Sequence, residues 1–266
     1  MPRPPNTDER RAQITAALIE VMARRGYDGA SIAQIASAAG LTPGLIHYHF
    51  RTKQEILLAA LDALVARHEA RLDEALASAP GSAKAAVSTF IDLHLGLGAS
   101  ADPAALACWI LLSGEALRQP AVRVRYAAAL DRLVERLRAI LERGMREGEL
   151  LGLDREANEA PSQAPSSGRR RDRGGSEDEM SGREARGDLR AGRRSGAPLE
   201  PGGVDATRSA EAAEAAAALV AAIQGYFVLA ATARALIPPG SASRSVHAMA
   251  EGLLGCALPA PARGLP

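Results

Sequence analysis

Between Ser31 and Lys53 the chain reads SIAQIASAAGLTPGLIHYHFRTK, with His47, Tyr48, His49 and Phe50 in a row just before one of only two lysines. Imidazole and phenol groups can move protons, hold a metal or donate hydrogen bonds to phosphate oxygens. The first two roles need acidic or cysteine partners, and the stretch contains none. His47 and His49 lie two apart, on different faces of a helix, where they cannot share an ion as an i, i+4 pair does. Phosphate recognition remains, and phenol, imidazole and a lysine beside a helix N-terminus suit it. Elsewhere Ser113, His94 and Asp92 are the residue types of a hydrolase, yet no nucleophile elbow or oxyanion glycine motif accompanies them. Cys108 and Cys256 have no CxxC or His/Cys spacing, so neither a zinc site nor a disulfide framework is expected. No catalytic residue, metal or cofactor is expected, and the chain is read as not an enzyme.

Short helices must position the His-Tyr-His run. Ile14, Leu18 and Val21 recur at helical spacing from Arg10 to Arg25, and Gly26 stops that helix. Ser31 with Gln34 predicts a capping box and a second helix, whose Ile32, Ile35, Ala36 and Ala39 face inward. The small residues Ala38, Ala39 and Gly40 allow a sharp turn. Thr42 caps a third helix with Pro43 at its first position. Thr52 with Glu55 predicts another capping box, and Leu57, Leu61, Leu64, Leu72 and Leu76 carry a long fourth helix to about Ala79, before Pro80-Gly81. Two short helices joined by a small-residue turn form a helix-turn-helix, whose second helix would enter a DNA major groove. Ile46 and Phe50 would anchor that helix and turn Gly44, Leu45, His47, Tyr48 and His49 outward.

The 266 residues are 47% hydrophobic and 3% aromatic, so the core is mostly Ala, Leu, Val and Ile in helical periodicity. That predicts an all-α protein. A net charge of +1 excludes a generally basic coat and permits a local basic face. The N-terminus lacks a signal peptide's apolar stretch and no apolar run is long enough to span a bilayer, so a cytoplasmic protein without membrane contact is expected. Further helices are predicted over Val87 to Leu97, Ala104 to Arg118, Val122 to Glu147, Ala210 to Ile237 and Ser243 to Cys256. Between them, residues 154–206 hold ten arginines, eleven acidic residues and no aromatic. Such a low-complexity insert cannot bury enough surface to order itself, and its balanced charge argues against a DNA-binding arm.

Gly44-Leu45-Ile46-His47-Tyr48-His49-Phe50 followed by Thr52-Lys53 resembles the third-helix pattern of TetR-family transcriptional regulators: a glycine, a small residue, Leu-Tyr-Tyr-His-Phe and a nearby Ser-Lys. Leu45 and His47 depart from it. The likeness covers about Glu9 to His68, and over the first fifty residues it is close to the family's choline-responsive repressors. It implies an N-terminal three-helix helix-turn-helix domain over residues 8–68. A helical effector-binding region over 69–153 and dimerisation helices over 207–258 would follow, on either side of the insert. Thr42, Tyr48, His49 and Lys53, with Ser31, would contact DNA phosphates, while Gly44, Leu45 and His47 approach base edges. By the same resemblance Phe90, His94, Cys108, Trp109, Leu112 and Glu115 are candidate effector-pocket residues, and Trp109 with Glu115 would suit a cation. The expectation is a homodimeric, allosteric repressor on a palindromic double-stranded operator, released by a small molecule. The alternative is a DNA-binding protein controlled by a protein partner, without a small effector.

Overall fold

The computed structural model describes residues 7–95, 103–151, 201–238 and 240–260. Most of the expected insert lies outside them. Its last residues, 201–206, instead begin a long helix.

Among the described residues there is no strand. Helix α1 spans Thr7–Gly29, α2 Ile32–Ala39, α3 Pro43–His49, α4 Lys53–Ser78, α5 Ala83–Leu95, α6 Pro103–Arg118, α7 Pro120–Arg146, α8 Pro201–Thr232 and α9 Ser241–Leu254. The expected end of α1 at Gly26 is a break inside a longer element. Gly26 sits at φ 71° and ψ 173°, which side chains resist, and one further helical turn follows it.

Local caps set the head. Ser31 and Gln34 exchange both hydrogen bonds of the capping box. Gly40, at φ 64°, closes α2 in the left-handed conformation, and Thr42 Oγ1 accepts from Leu45 N at the start of α3. The capping box expected at α4 forms only in part. Thr52 Oγ1 accepts from Glu55 N, but the Glu55 carboxylate takes the N–H of Arg51, one residue earlier. The extended turn at Phe50 brings that N–H within reach.

Two cores result. The first joins Ile14, Leu18 and Met22 of α1 to Ile35, Ile46, Phe50, Ile56, Leu57 and Leu61. It also takes Cys108, Leu112 and Ala116 from α6 and Val122 from α7. The head therefore does not end at residue 68 as a packing unit, because α6 supplies part of its floor. The second core gathers α5, α7, α8 and α9 around Phe90, Ile91, Leu137, Leu141, Leu219 and Ile223. Helix α7 passes close to α5 at Gly144, where an added Cβ would lie 2.6 Å from the Ala83 side chain.

Helix α4 crosses from one core to the other, with Leu61 in the first and Leu72 in the second. Asp62, Glu69 and Asp73 on α4 pair with Arg125, Arg132 and Arg136 on α7, each separated by 63 residues. A constant offset means that the two helices run parallel.

The residues 206–232 of α8 are long and apolar enough by composition to cross a membrane, against the sequence expectation. Their apolarity comes largely from alanine, and one side packs on the second core through Ala212, Ala215, Ala216, Leu219 and Ile223.

Candidate functional sites

The exposed face of α3 is built from its buried one. Ile46 and Phe50, four residues apart, are fully buried and hold the seven-residue helix on the head core. Arg11 of α1 covers the Phe50 ring at 4.0 Å and donates to the His49 carbonyl, and Gln13 donates to the Ala39 carbonyl at 2.7 Å. These bonds fix α2 and α3 on α1. What is left outward is Thr42, Gly44, His47 and Tyr48, with Leu45 and His49 half-buried beside them. Tyr48 is 80% exposed, with its ring edge against His49. A tyrosine so exposed contributes little to the fold, yet its hydroxyl is presented to whatever approaches.

Two sequence candidates are also structural. Ser31 is the N-cap of α2. Lys53 donates to the Tyr27 carbonyl at 2.9 Å and places its ammonium 4.1 Å from the Tyr27 ring centre, so it ties α4 to the end of α1.

A second site is a cleft of about 170 Å³ between α4, α5, α6, α7 and α8. Its apolar wall includes Leu64, Leu72, Leu106, Leu130, Leu133 and Phe227. Trp109 also lines it, held by a 2.9 Å hydrogen bond to Gln224 and stacked near Tyr126, whose phenol burial pushes up to about 12. At the cleft wall His94 Nε2 lies 2.9 Å from His68 Nε2, and His94 Nδ1 lies 2.6 Å from the Phe90 carbonyl. A carbonyl only accepts, so His94 carries its proton on Nδ1 and accepts from His68 at Nε2. Burial, helped by the nearby His68, holds His94 down at about 3; burial and then Arg71 lower His68. Both rings are therefore neutral at pH 7.

Of the six sequence candidates for this pocket, His94 and Trp109 line the cleft. Phe90 lies behind His94 in the second core, ring against ring at 4.4 Å. Cys108 and Leu112 face the head core, Cys108 Sγ lying 3.7 Å from Met22 Sδ. Glu115 is buried away from the cleft and held by Arg118 at 2.7 Å and Gln119 at 2.6 Å. The physical reason is helical phase: neighbours on a helix point about 100° apart, so Cys108 is buried in the head core while Trp109, at the edge of that core, also reaches the cleft. Sequence reasoning missed Arg67, His68, Arg71, Arg132, Arg136 and Gln224. One signal for the arginines was available, since Asp62, Glu69, Asp73 and Arg125, Arg132, Arg136 share the same seven-then-four spacing. The hydrolase set does not assemble: Ser113 bonds the Ile110 carbonyl, Asp92 takes the Ser243 hydroxyl, and His94 bonds His68.

Residues 14–60 match the family model of the bacterial regulatory proteins, tetR family. Similar curated proteins include the HTH-type transcriptional regulator BetI of Ectopseudomonas mendocina, 32% identical over 43% of this chain and 58% of that one. The Fatty acid metabolism regulator protein of Bacillus subtilis is 28% identical over 53% of this chain and 72% of that one. The chain thus spans 58% of the length of the first of these relatives. Among solved structures, a transcriptional regulator from Saccharomonospora viridis in complex with choline superposes with a TM-score of 0.64. It is 20% identical, and the match covers 92% of this chain and 96% of that one. A TetR transcription regulator from Haloarcula marismortui gives 0.63 at 15% identity, covering 95% and 100%. At these identities the structures share the fold.

Proposed function

We propose that this chain is a dimeric, cytoplasmic repressor of the TetR family of bacterial transcriptional regulators, the family whose model residues 14–60 match, and that its grip on DNA is released by a small molecule. In this reading α3 enters a major groove. Gly44, Leu45 and His47 approach base edges; Thr42, Tyr48 and His49, with Ser31 and Lys53 at the flanks, contact phosphates. The Ser31 and Thr42 hydroxyls accept caps and still have a proton to donate. Lys53 spends one donor on Tyr27 and keeps two.

Dimerisation is supported by the outer side of α8 and α9. Ala217, Ala221, Gly225 and Val228 recur at three- and four-residue spacing on exposed positions of α8, and Ala248, Met249 and Gly252 are exposed on α9. Small residues in such rows let two helices approach closely, and a second subunit would bury them. A dimer also doubles the few base pairs that one short helix can read.

The observation that carries the switch is α6. Cys108 and Leu112 belong to the head core, while Ala105, Leu106 and Trp109 line the cleft, and Ala105 and Trp109 also pack against the head core. A molecule that moves Trp109 must therefore move the floor under α1, and α4 offers a second rigid path between the two cores. A ligand with different affinities for the two arrangements then shifts DNA binding by that difference.

The test is equilibrium binding to duplex DNA selected by the protein from a random pool. Two half-sites about one helical turn apart are expected, with one dimer bound by analytical ultracentrifugation. Binding of a monomer to a single half-site would overturn the dimeric reading. Loss of no affinity in Tyr48→Ala would overturn the assigned face.

A further inference from the structure

The chemistry of the cleft wall names the class of ligand, on the reading that the cleft is the effector site. We infer that this ligand is a compact carboxylate, one anionic head on an apolar tail of modest length. The apolar residues account for the tail. A cavity of about 150 Å³ accepts benzene, so the roughly similar space here suits a tail of about six to eight non-hydrogen atoms, with the head outside it at the mouth.

The head follows from charge. Arg67 and Arg71 stand one turn apart on the α4 side, and Arg132 and Arg136 on the α7 side. Arg132 is taken by Glu69 and Arg136 by Asp73. Among the described residues Arg71 makes no ion pair, and it acts electrostatically on His68 at the cleft wall. The two histidines are neutral and cannot offset a cation. Among the described residues the only carboxylate lining the cleft, Glu69, is already bonded, and Glu115 lies on the other side of α6. Among the described residues a quaternary ammonium would thus meet guanidinium groups and no unpaired anion. A carboxylate meets the Arg71 fork, which matches its two oxygens.

The experiment uses the full chain and its sole tryptophan, Trp109, as reporter. Octanoate, octan-1-ol and octyltrimethylammonium carry the same tail with negative, neutral and positive heads. Octanoate is expected to bind at least tenfold more tightly than octanol, and the ammonium more weakly than either. Arg71→Gln is expected to weaken octanoate about tenfold and leave octanol unchanged; a merely structural loss would weaken both. Equal binding of octanol and octanoate, tighter binding of the ammonium, no binding of octanoate, or an unchanged octanoate affinity in Arg71→Gln each overturns the assignment. DNA binding is measured in parallel on the selected duplex. Octanoate that binds at Arg71 without loosening DNA supports the ligand class and sinks the effector reading. An ammonium or alcohol that releases DNA while octanoate does not sinks the class and leaves that reading intact.

Discussion

In the head, α2, α3 and α4 each start at a side chain three residues from its partner, and the proposed DNA-facing surface is what remains after Ile46 and Phe50 are buried. Around the cleft nothing is that local. Five helices meet there, joined by pairs 26 to 115 residues apart, such as His68 with His94 and Trp109 with Gln224. The head is a structure of caps and the cleft is a structure of phases, and α6 belongs to both. Substitutions on opposite sides of α6 should therefore act differently, and this gives the largest expected effect. Leu112→Ala removes a fully buried side chain from the head core and is expected to cost about 2–5 kcal/mol. DNA affinity should fall with it, followed by urea unfolding and duplex titration. Leu106→Ala, at the half-buried cleft wall, already borders empty space and should cost about 1 kcal/mol, below the range for fully buried leucines. Equal costs would mean that α6 is not divided between the two regions.

Acid should separate the regions next. His94 is held at about 3 against an ordinary 6.5, chiefly by burial. The folded state thus prefers the neutral ring, while the unfolded chain takes up a proton near 6.5. Stability from this group is present above pH 6.5 and is lost as pH falls from there toward 3. Between pH 7 and 5 the loss is expected to be about 2 kcal/mol, and His68, lowered in the same direction, adds to it. His94→Leu should flatten that slope in urea unfolding series. A slope unchanged by the substitution would place the proton uptake elsewhere.

The same contrast explains what the sequence could convey. Ser31-Gln34, Thr42-Pro43 and the small turn at Gly40 are local rules, so α2 and α3 could be drawn from residue order alone. The Glu55 cap went astray by one residue because an extended Phe50 offered the Arg51 N–H first. Helix α6 has apolar residues on both of its working sides: Cys108 and Leu112 on one, Leu106 and Trp109 on the other. Its polarity therefore carries no sign of which side is hollow, and four of the six residues expected at a pocket, Phe90, Cys108, Leu112 and Glu115, do not line the cleft. Two of the cleft's arginines, Arg132 and Arg136, follow an acidic-basic spacing match between two distant helices, which becomes informative only when the helices are known to run parallel.

A smaller effect probes the head by itself. Tyr48→Ala removes a side chain that is 80% exposed, so melting temperature should stay within about a degree, as for most surface changes. DNA affinity should nonetheless drop about tenfold, or 1.4 kcal/mol, and do so for all sequences alike. His47→Ala should instead change which base pairs are preferred. If Tyr48→Ala altered preference and His47→Ala altered only affinity, the two roles on α3 would have to be exchanged.

The smallest expected effect belongs to the ion-pair ladder, and its smallness is informative. Asp62, Glu69 and Asp73 meet Arg125, Arg132 and Arg136 at a fixed offset, so a slip of α4 along α7 by one turn would misalign every pair. Each pair is substantially solvent-exposed. Water and salt screen such charges, and a single exposed pair contributes about 1 kcal/mol or less. Asp62→Asn should therefore lower stability by no more than that, and the difference should fade near 1 M salt, where the screening length is about 3 Å. A double-mutant cycle with Arg125→Gln isolates the pair from the rest. The ladder joins the head-bearing α4 to α7, which makes it a competing route by which the cleft could control DNA binding. If α6 is the main route, Asp62→Asn should leave the ligand-dependent change in DNA affinity within about fivefold of the parent, because the lost coupling is bounded by the small pair energy of about 1 kcal/mol. A change of tenfold or more in that response, at unchanged ligand affinity, would show that register between α4 and α7 transmits the signal and that α6 only supports the head.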